Sequence, residues 1–480
     1  MNITIPGLSV GESGILTELV NTLESKRRRN RLRRKYYDAQ QIVRQLGIAV
    51  PPQFQSLETV LGWPAKAVDI LDRRVNFEGL VVAGASSGPF GLDEVFADNS
   101  IDVEASQAHT AAFKYSCSFL PVTKGDVQSG EPEVLVTPRS AMDMTALWDT
   151  RRRMLRAALS VTDRDLDSDD VTGAILYLPD HIVTARRTSA GWVVESDVKH
   201  GLRRVPVALL PYKPDLDRPF GKSKISRAVM SLTDQAVRTM LRTELSAEFY
   251  SSPQRAYFNV LADAFKNADG TVKSGFEASI SKALVFEPNE DGTPAPSAVQ
   301  FPQMTMQPHV EMLRSLAASF AGEANIPVNS LGIIHDNPAS DAAMQTAYLD
   351  LVQDAERCHT TFGAGYVSAG QMAVMVRDNL DAVPAELKRM RARFRDASTA
   401  TKAAASAAVV EQVKAGILPA ESEVTLEALG YDSVTIQRIT ADRRRAAVSS
   451  LVSNISQRLD TAQADPAVTA AAAARGSGGV

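Results

Sequence analysis

Two stretches of helical periodicity enclose a polar, turn-rich one, and this order restricts the chain to folds in which paired helices share a single excursion between them. Across residues 223–250, Ile225, Val229, Leu232, Ala236, Met240, Leu245 and Phe249 recur at steps of three to five, near the helical period. Ser223 suits the helix N-cap, and Pro253 follows its end. Across 308–324, Val310, Leu313, Ala317, Phe320 and Ala324 fall at steps of three and four, a narrow seam. Ala317, Ala318, Ala321 and Gly322 allow a neighbour to come close. Residues 251–303 between them are rich in Gly, Asn, Asp and Pro, hold the strand candidates AYFNVL and KALVFEP, and read as a small separate subdomain.

The rest of the chain is mixed. Residues 14–48 read as a helix stopped by Pro51 and Pro52, with shorter helices over 64–75 and 101–113. From 115 to 211 short strands (YSCSFLPV, EVLVTP, ALSVT, GAILYL, HIVTAR, GWVVES, RVPVALL) alternate with turn residues, which predicts an antiparallel meander or small sandwich, interrupted by a helix over 139–147. After the loop 325–337 (NIPVNSLGIIHDN), Asn337 and Pro338 open a long helix to about 380, bent by Gly363, Gly365 and Gly370. RARFRD (391–396) is a strand. Helices over 398–460 break at Gly416 and Gly430, and the tail 461–480 is expected to be disordered.

Bulk properties bound the function. A chain of 480 residues exceeds one compact core. With 52 basic and 56 acidic side chains the formal charge is −4, against a protein that grips nucleic acid over its whole surface. It does not argue against a conduit, which should avoid strong phosphate binding. Cys117 and Cys358 form no CxxC pair, so neither a disulfide framework nor a structural zinc site is expected. The first residues lack the charged and apolar regions of a signal peptide, and no apolar run approaches the roughly 18 residues of a membrane span.

Candidate chemistry is thin. Gly221–Lys222–Ser223 follows a strand and opens a helix, as a phosphate-binding loop would, but the motif needs a Gly where Leu216 stands, and Pro219 removes an amide donor. A nucleotide hydrolase using Lys222 and Ser223 is therefore the weaker alternative. Asp163, Asp165 and Asp167 have calcium-loop spacing, but Ser168 and Ala174 replace the required Gly and Glu. His335, Asp336 and Ser330 crowd one loop without a nucleophile elbow. No catalytic residue, metal or cofactor is expected. In KRRRNRLRRK (26–35) eight of ten residues are basic. Arg27, Arg28, Arg29, Arg31, Arg33 and Arg34 make either a solvated, salt-bridged helix face, which the pattern favours, or a contact for DNA phosphates or an acidic partner. A DNA-binding adaptor or other connector using this run is a further alternative, although adaptors are usually much shorter than this chain.

Several long segments resemble portal proteins of long-tailed phages of actinobacteria: PFGKSKISRAVMSLTDQAVRTMLRTELSAEFYSSPQRAYF, ANIPVNSLGIIHDNPASDAAMQTAYLDLV, YYDAQQIVRQLGIAVPPQF and LGWPAKAVDILDRRVNFEGLVV. The resemblance covers about residues 30–450. It implies an α+β portal fold assembled as a ring of twelve copies: wing 1–222, stem helices 223–250 and 304–324, clip 251–303, tunnel loop 325–337, a long bent helix and wing return 338–397, crown 398–460 and tail 461–480. It implies stem packing through Val229, Leu232, Ala236, Met240, Leu313, Ala317 and Phe320. The loop residues Val328, Asn329, Ser330, Leu331, Ile333, Ile334 and His335 would face double-stranded DNA. The implied partners are the terminase large subunit, the major capsid and scaffolding proteins and a head-completion (adaptor) protein, with no membrane. The ring would assemble in the host cytoplasm and end in the virion, and the motor rather than this chain would hydrolyse ATP.

Overall fold

The computed structural model describes residues 3–43, 59–82, 89–251, 255–259, 266, 270–271, 297–300, 305–332, 341–398, 402–431 and 433–464. The chain divides into two units, 1–397 and 398–480.

The first unit opens with α1, Val10–Tyr37. Ser9 and Glu12 cap it reciprocally: the Ser9 amide donates to the Glu12 carboxylate at 2.7 Å, and the Glu12 amide to the Ser9 hydroxyl at 3.3 Å. The helix stops at Tyr37, not at 48, and the expected stop at Pro51 and Pro52 lies outside the described residues. α2 (Trp63–Asp72), β1 (Phe77–Val82), α3 (Leu92–Asp98) and α4 (Ile101–Tyr115) follow. Next come β2 (Cys117–Lys124), β3 (Val134–Val136) and β4 (Arg139–Ser140). β5 (Met144–Asp149), β6 (Met154–Arg164), β7 (Val171–Tyr177), β8 (His181–Thr188) and β9 (Gly191–Lys199) form an antiparallel meander in chain order. β10 (Val207–Pro211) pairs instead with β2.

The helix expected over 139–147 is not formed; those residues enter β4 and β5. Met144 and Ala146 face one apolar cluster, with Phe119, Leu155 and Tyr177, while Leu147 faces another, with Leu159, Leu176 and Val183. A strand buried on both faces shows no polar alternation, so its apolar run looks helical. The second cluster also takes Leu16, Leu19, Val20 and Leu23, which seats the first half of α1 on the meander.

α5 (Arg227–Ser251) and α6 (Gln307–Ala324) are antiparallel partners. At one end the Ser226 hydroxyl donates to Glu323 at 3.1 Å; at the other Ser246 Oγ lies 3.2 Å from His309 Nε2. Between them β11 (Arg255–Phe258) pairs with β12 (Ser297–Gln300), and the candidate KALVFEP lies outside the described residues. α7 (Asp341–Arg377) then runs unbroken through the largest cluster, and β13 (Met390–Phe394) pairs with β1. α7 is continuous across its glycines, two of which mark close approaches: a Cβ on Gly365 would stand 2.5 Å from the Leu209 carbonyl oxygen, and one on Gly370 would stand 2.4 Å from Leu80 Cδ1. The second unit holds α8 (Lys402–Lys414), α9 (Glu423–Ala428) and α10 (Ser433–Ala464), so residues 461–464 of the expected tail are helical. None of the described helices is long and apolar enough to cross a membrane.

Candidate functional site

One carboxylate links the helix pair and the loop after it to the rest of the first unit, alongside their apolar packing. Where α6 ends, Asn325 takes a left-handed conformation (φ 49), tolerated by Asn, and the Ile326 amide donates back to the Ala321 carbonyl at 3.0 Å. The Asn325 side-chain amide donates to Asp354 Oδ2 on α7 at 3.1 Å. The same oxygen accepts from Lys213 Nζ at 2.7 Å and lies 3.8 Å from Lys224 Nζ. Lys213 follows β10, and Lys224 stands just before α5. Asp354 thus joins the sheet edge, the start of α5, the end of α6 and the middle of α7. Lys224 is buried; desolvation pushes its pKa down to about 8 against the opposing pull of Asp354. Burial raises the neighbouring Tyr212 hydroxyl well above its ordinary range.

The loop itself is only partly available. Val328–Leu331 form one 3-10 turn, with Leu331 buried and Val328 half-buried against the same core. Lys66 Nζ donates to the Ser330 carbonyl at 3.2 Å, and Gly332 closes the turn at φ 84. Asn329 and Gly332 are exposed and Ser330 half-exposed. Expected to face outward, the side chains of Val328 and Leu331 instead pack inward, because they supply the apolar contacts that hold the turn. Ile333, Ile334 and His335 lie outside the described residues.

The expected stem residues are likewise used within the protomer. Val229, Ala236, Ala317 and Phe320 are fully buried, Leu232, Met240 and Leu313 half-buried, and the Phe320 ring sits 5.2 Å from that of Trp63. Apart from Val310, which is exposed, the seam expected to serve a neighbour is spent on α5, α2 and the core, since a single chain already offers it apolar partners.

The glycine–lysine–serine segment is not a phosphate cradle. Lys222 Nζ pairs with Asp215 at 2.7 Å. The Ser223 hydroxyl points inward, donating to the Lys114 carbonyl at 2.6 Å and accepting the Ile225 amide at 3.0 Å. Gly221 (φ +73) lies against the Tyr212 carbonyl, where a Cβ would stand 2.1 Å from the oxygen. In the acidic loop the Asp165 carboxylate accepts the Asp167 and Ser168 amides at 3.1 and 2.8 Å, so the loop caps itself. Among the described residues no three His, Cys, Asp or Glu converge as metal ligands.

The basic run is divided. Arg27 and Arg31 bind Asp169, the former at 2.7 Å; Arg34 pairs with Asp38 at 3.4 Å; Arg33 is half-buried; Arg28 and Arg29 are exposed. Sequence reasoning missed Lys213, Asp354 and the roles of Lys224 and Asn325. The one available signal was a second lysine in GKSK, at a position whose neighbours Ser223 and Ile225 are both buried.

The family described as "Phage portal protein, SPP1 Gp6-like" matches residues 17–433. The portal protein of Mycobacterium phage D29 is 28% identical over 410 residues, covering 84% of this chain and 83% of its own length. That of Mycobacterium phage L5 is 28% identical over 431 residues, covering 88% and 87%. Among solved structures, a chain from the neck of a native gene transfer agent particle aligns over 77% of this chain and 89% of its own at 14% identity and a TM-score of 0.40. One from the virion of a native gene transfer agent particle aligns over 78% and 88%, also at 14% identity and a TM-score of 0.40.

Proposed function

The chain belongs to the phage portal protein family, whose members are structural virion components and not enzymes, and on that premise we propose that twelve copies close into a ring whose channel passes double-stranded DNA. The observation that carries this reading is the antiparallel pair α5–α6, tied to the rest of its unit at one end through Asp354 and bearing residues 252–306 at the other. Because most of the apolar surface of the pair is spent within the protomer, Val310 and Met312 excepted, a neighbour would meet the remaining side of α6. There Ala318, Ser319, Gly322 and Glu323 are exposed, three of them small enough for close approach. A heterologous contact of this kind closes into a cyclic oligomer.

The surface proposed to meet DNA narrows to Asn329, Ser330 and Gly332, with Ile333, Ile334 and His335 following them in the chain. None of the first three carries a charge, so contact there is steric and DNA is free to slide. Residues 252–306 would receive the terminase large subunit during packaging and the head-completion protein afterwards. The major capsid and scaffolding proteins would surround the ring during assembly in the host cytoplasm.

Electron micrographs of the purified full-length protein, viewed down the particle axis, test this reading. Rings with a central channel and twelvefold symmetry are expected. Protein that stays monomeric by light scattering and gives no ring with scaffold or capsid partners would overturn it.

A further inference from the structure

α1 separates two surfaces of opposite charge. With about 3.6 residues per turn, Arg27 and Arg31 stand one above the other and both reach Asp169, in the loop between β6 and β7. Lys26, Arg29 and Arg33 project from roughly the opposite side and line a cavity of about 1090 Å³, with Arg218, Lys222 and Arg227 across from them. Among the described residues the carboxylates in its wall are Asp217 and Glu323, and Glu323 already accepts the Ser226 hydroxyl at 3.1 Å. Lys222 is already paired with Asp215 at 2.7 Å, and the remaining cations of the wall still outnumber its anions.

Arg33 shows the imbalance most clearly. Its Nη1 reaches only the Asn30 side-chain oxygen and the Tyr115 carbonyl, each at 3.4 Å, and its Nε is sealed from solvent with no hydrogen-bond partner. Desolvation, with repulsion from Arg29, holds its pKa down to about 10. A half-buried guanidinium without a carboxylate is costly, and the cost falls when an anion arrives.

Past the other face of α1, the loop of Asp165 to Asp170 presents the complement. Asp169 is held by Arg27, and Asp170 by Arg187 at 3.2 Å. That leaves Asp165, Leu166 and Asp167 as the tip, preformed by the amides on Asp165, with Leu166 at 101% exposure. An exposed leucine between two aspartates suits a cationic cleft with an apolar floor, and Leu32, Phe220 and Met230 supply that floor. Tip and cleft lie on opposite sides of α1, so one copy cannot satisfy itself, whereas a row of copies joined head to tail can.

We propose that the Asp165–Leu166–Asp167 tip of one copy seats in the basic cleft of the next, with Leu166 on the apolar floor and the carboxylates against Arg29 and Arg33. This deepens the ring reading above and rests on it. Charge exchange in the full-length protein tests it, because Arg29 and Asp167 are both exposed and their variants should fold. Ring fraction against protein concentration is read by mass photometry, with circular dichroism as the control for folding. Arg29→Glu and Asp167→Arg should each raise the concentration for half-assembly by about tenfold, and the two together should restore it to within about threefold of the wild type. Leu166→Ser, which removes the apex and leaves the charges, should also weaken assembly. Single variants that assemble like the wild type, or a double variant no better than the singles, would overturn the proposal and leave the ring itself standing. A wild type that forms no rings would remove both. If Arg29→Glu instead weakens salt-dependent capture of a short DNA duplex with assembly intact, the cleft is a nucleic-acid surface and the tip does not occupy it.

Discussion

Nδ1 of His109 and Oδ1 of Asp72 stand 4.0 Å apart at the edge of the largest apolar cluster, too far for a hydrogen bond, and the approach is not an ion pair. Burial lowers the His109 pKa to about 3, so its imidazole is neutral, and its Nε2 meets the Tyr366 hydroxyl at 2.9 Å. Burial raises the Asp72 pKa to about 6, against the opposing hydrogen bond from the Ser106 hydroxyl at 2.6 Å. The two groups therefore drive stability in opposite directions with pH. Between about 6.5 and 3 the unfolded chain holds a His109 proton that the folded chain lacks, so stability falls as the pH falls. Between about 6 and 3.8 the folded chain holds an Asp72 proton that the unfolded chain lacks, so stability rises as the pH falls.

Asp72→Asn should accordingly raise stability by up to about 3 kcal/mol above pH 6, at about 1.4 kcal/mol per pKa unit, and steepen the loss on acidification. His109→Gln should flatten that loss. Urea unfolding midpoints between about pH 4 and pH 7 measure both. Parallel profiles for the wild type and Asp72→Asn would show that Asp72 titrates normally.

Lys213 and Lys224 share the Asp354 carboxylate, which also receives Asn325. Asp354→Ala leaves a buried ammonium uncompensated and should cost about 3 kcal/mol. In a Lys224→Met background the same change should cost less, because only the partly exposed Lys213 then loses its partner. Denaturant unfolding of the four proteins gives the coupling directly. Equal costs in both backgrounds would mean that Lys224 is stabilised by something other than Asp354.

The legible parts of the fold are those with one buried face. The paired helices and β8, where Val183 and Ala185 are buried and Ile182 and Thr184 half-buried, show periodicity because one side meets the core more closely than the other. Met144–Leu147 has clusters on both sides, and its strand reads as a helix. The candidate site is less legible still: Lys213, Lys224, Asn325 and Asp354 are scattered over about 140 positions, and only folding brings them to one oxygen. Leu331 and Val328 look like exposed apolar loop residues until the turn carrying them is seen to lean on the core. The glycines of α7 are visible, but not the reason for them, since a bend and a close approach need the same residue.

That difference is itself testable at Gly365. A methyl group there meets the Leu209 carbonyl oxygen and the Leu210 Cδ2, both at 2.5 Å, and backbone cannot yield as a flexible side-chain end can. Gly365→Ala should destabilise by about 2 kcal/mol, although alanine is the better helix former. A gain in thermal stability would mean that α7 and β10 are less tightly apposed than the backbone contact indicates.

Gly322 offers the opposite case on α6. It is exposed, its φ is not in the left-handed range, and a Cβ there meets nothing within 4 Å in the protomer. Gly322→Ala should therefore raise protomer stability by about 0.5–1 kcal/mol, the ordinary helix gain. Gly322→Leu should leave protomer unfolding near the wild type as well. In a ring whose neighbours approach along Ala318 and Gly322, however, the larger side chain has no room, and half-assembly should need about tenfold more protein. Thermal unfolding of dilute protomer and mass photometry at rising concentration separate the two effects. Rings forming as readily in Gly322→Leu as in the wild type would place the neighbour contact on another side of the helix pair.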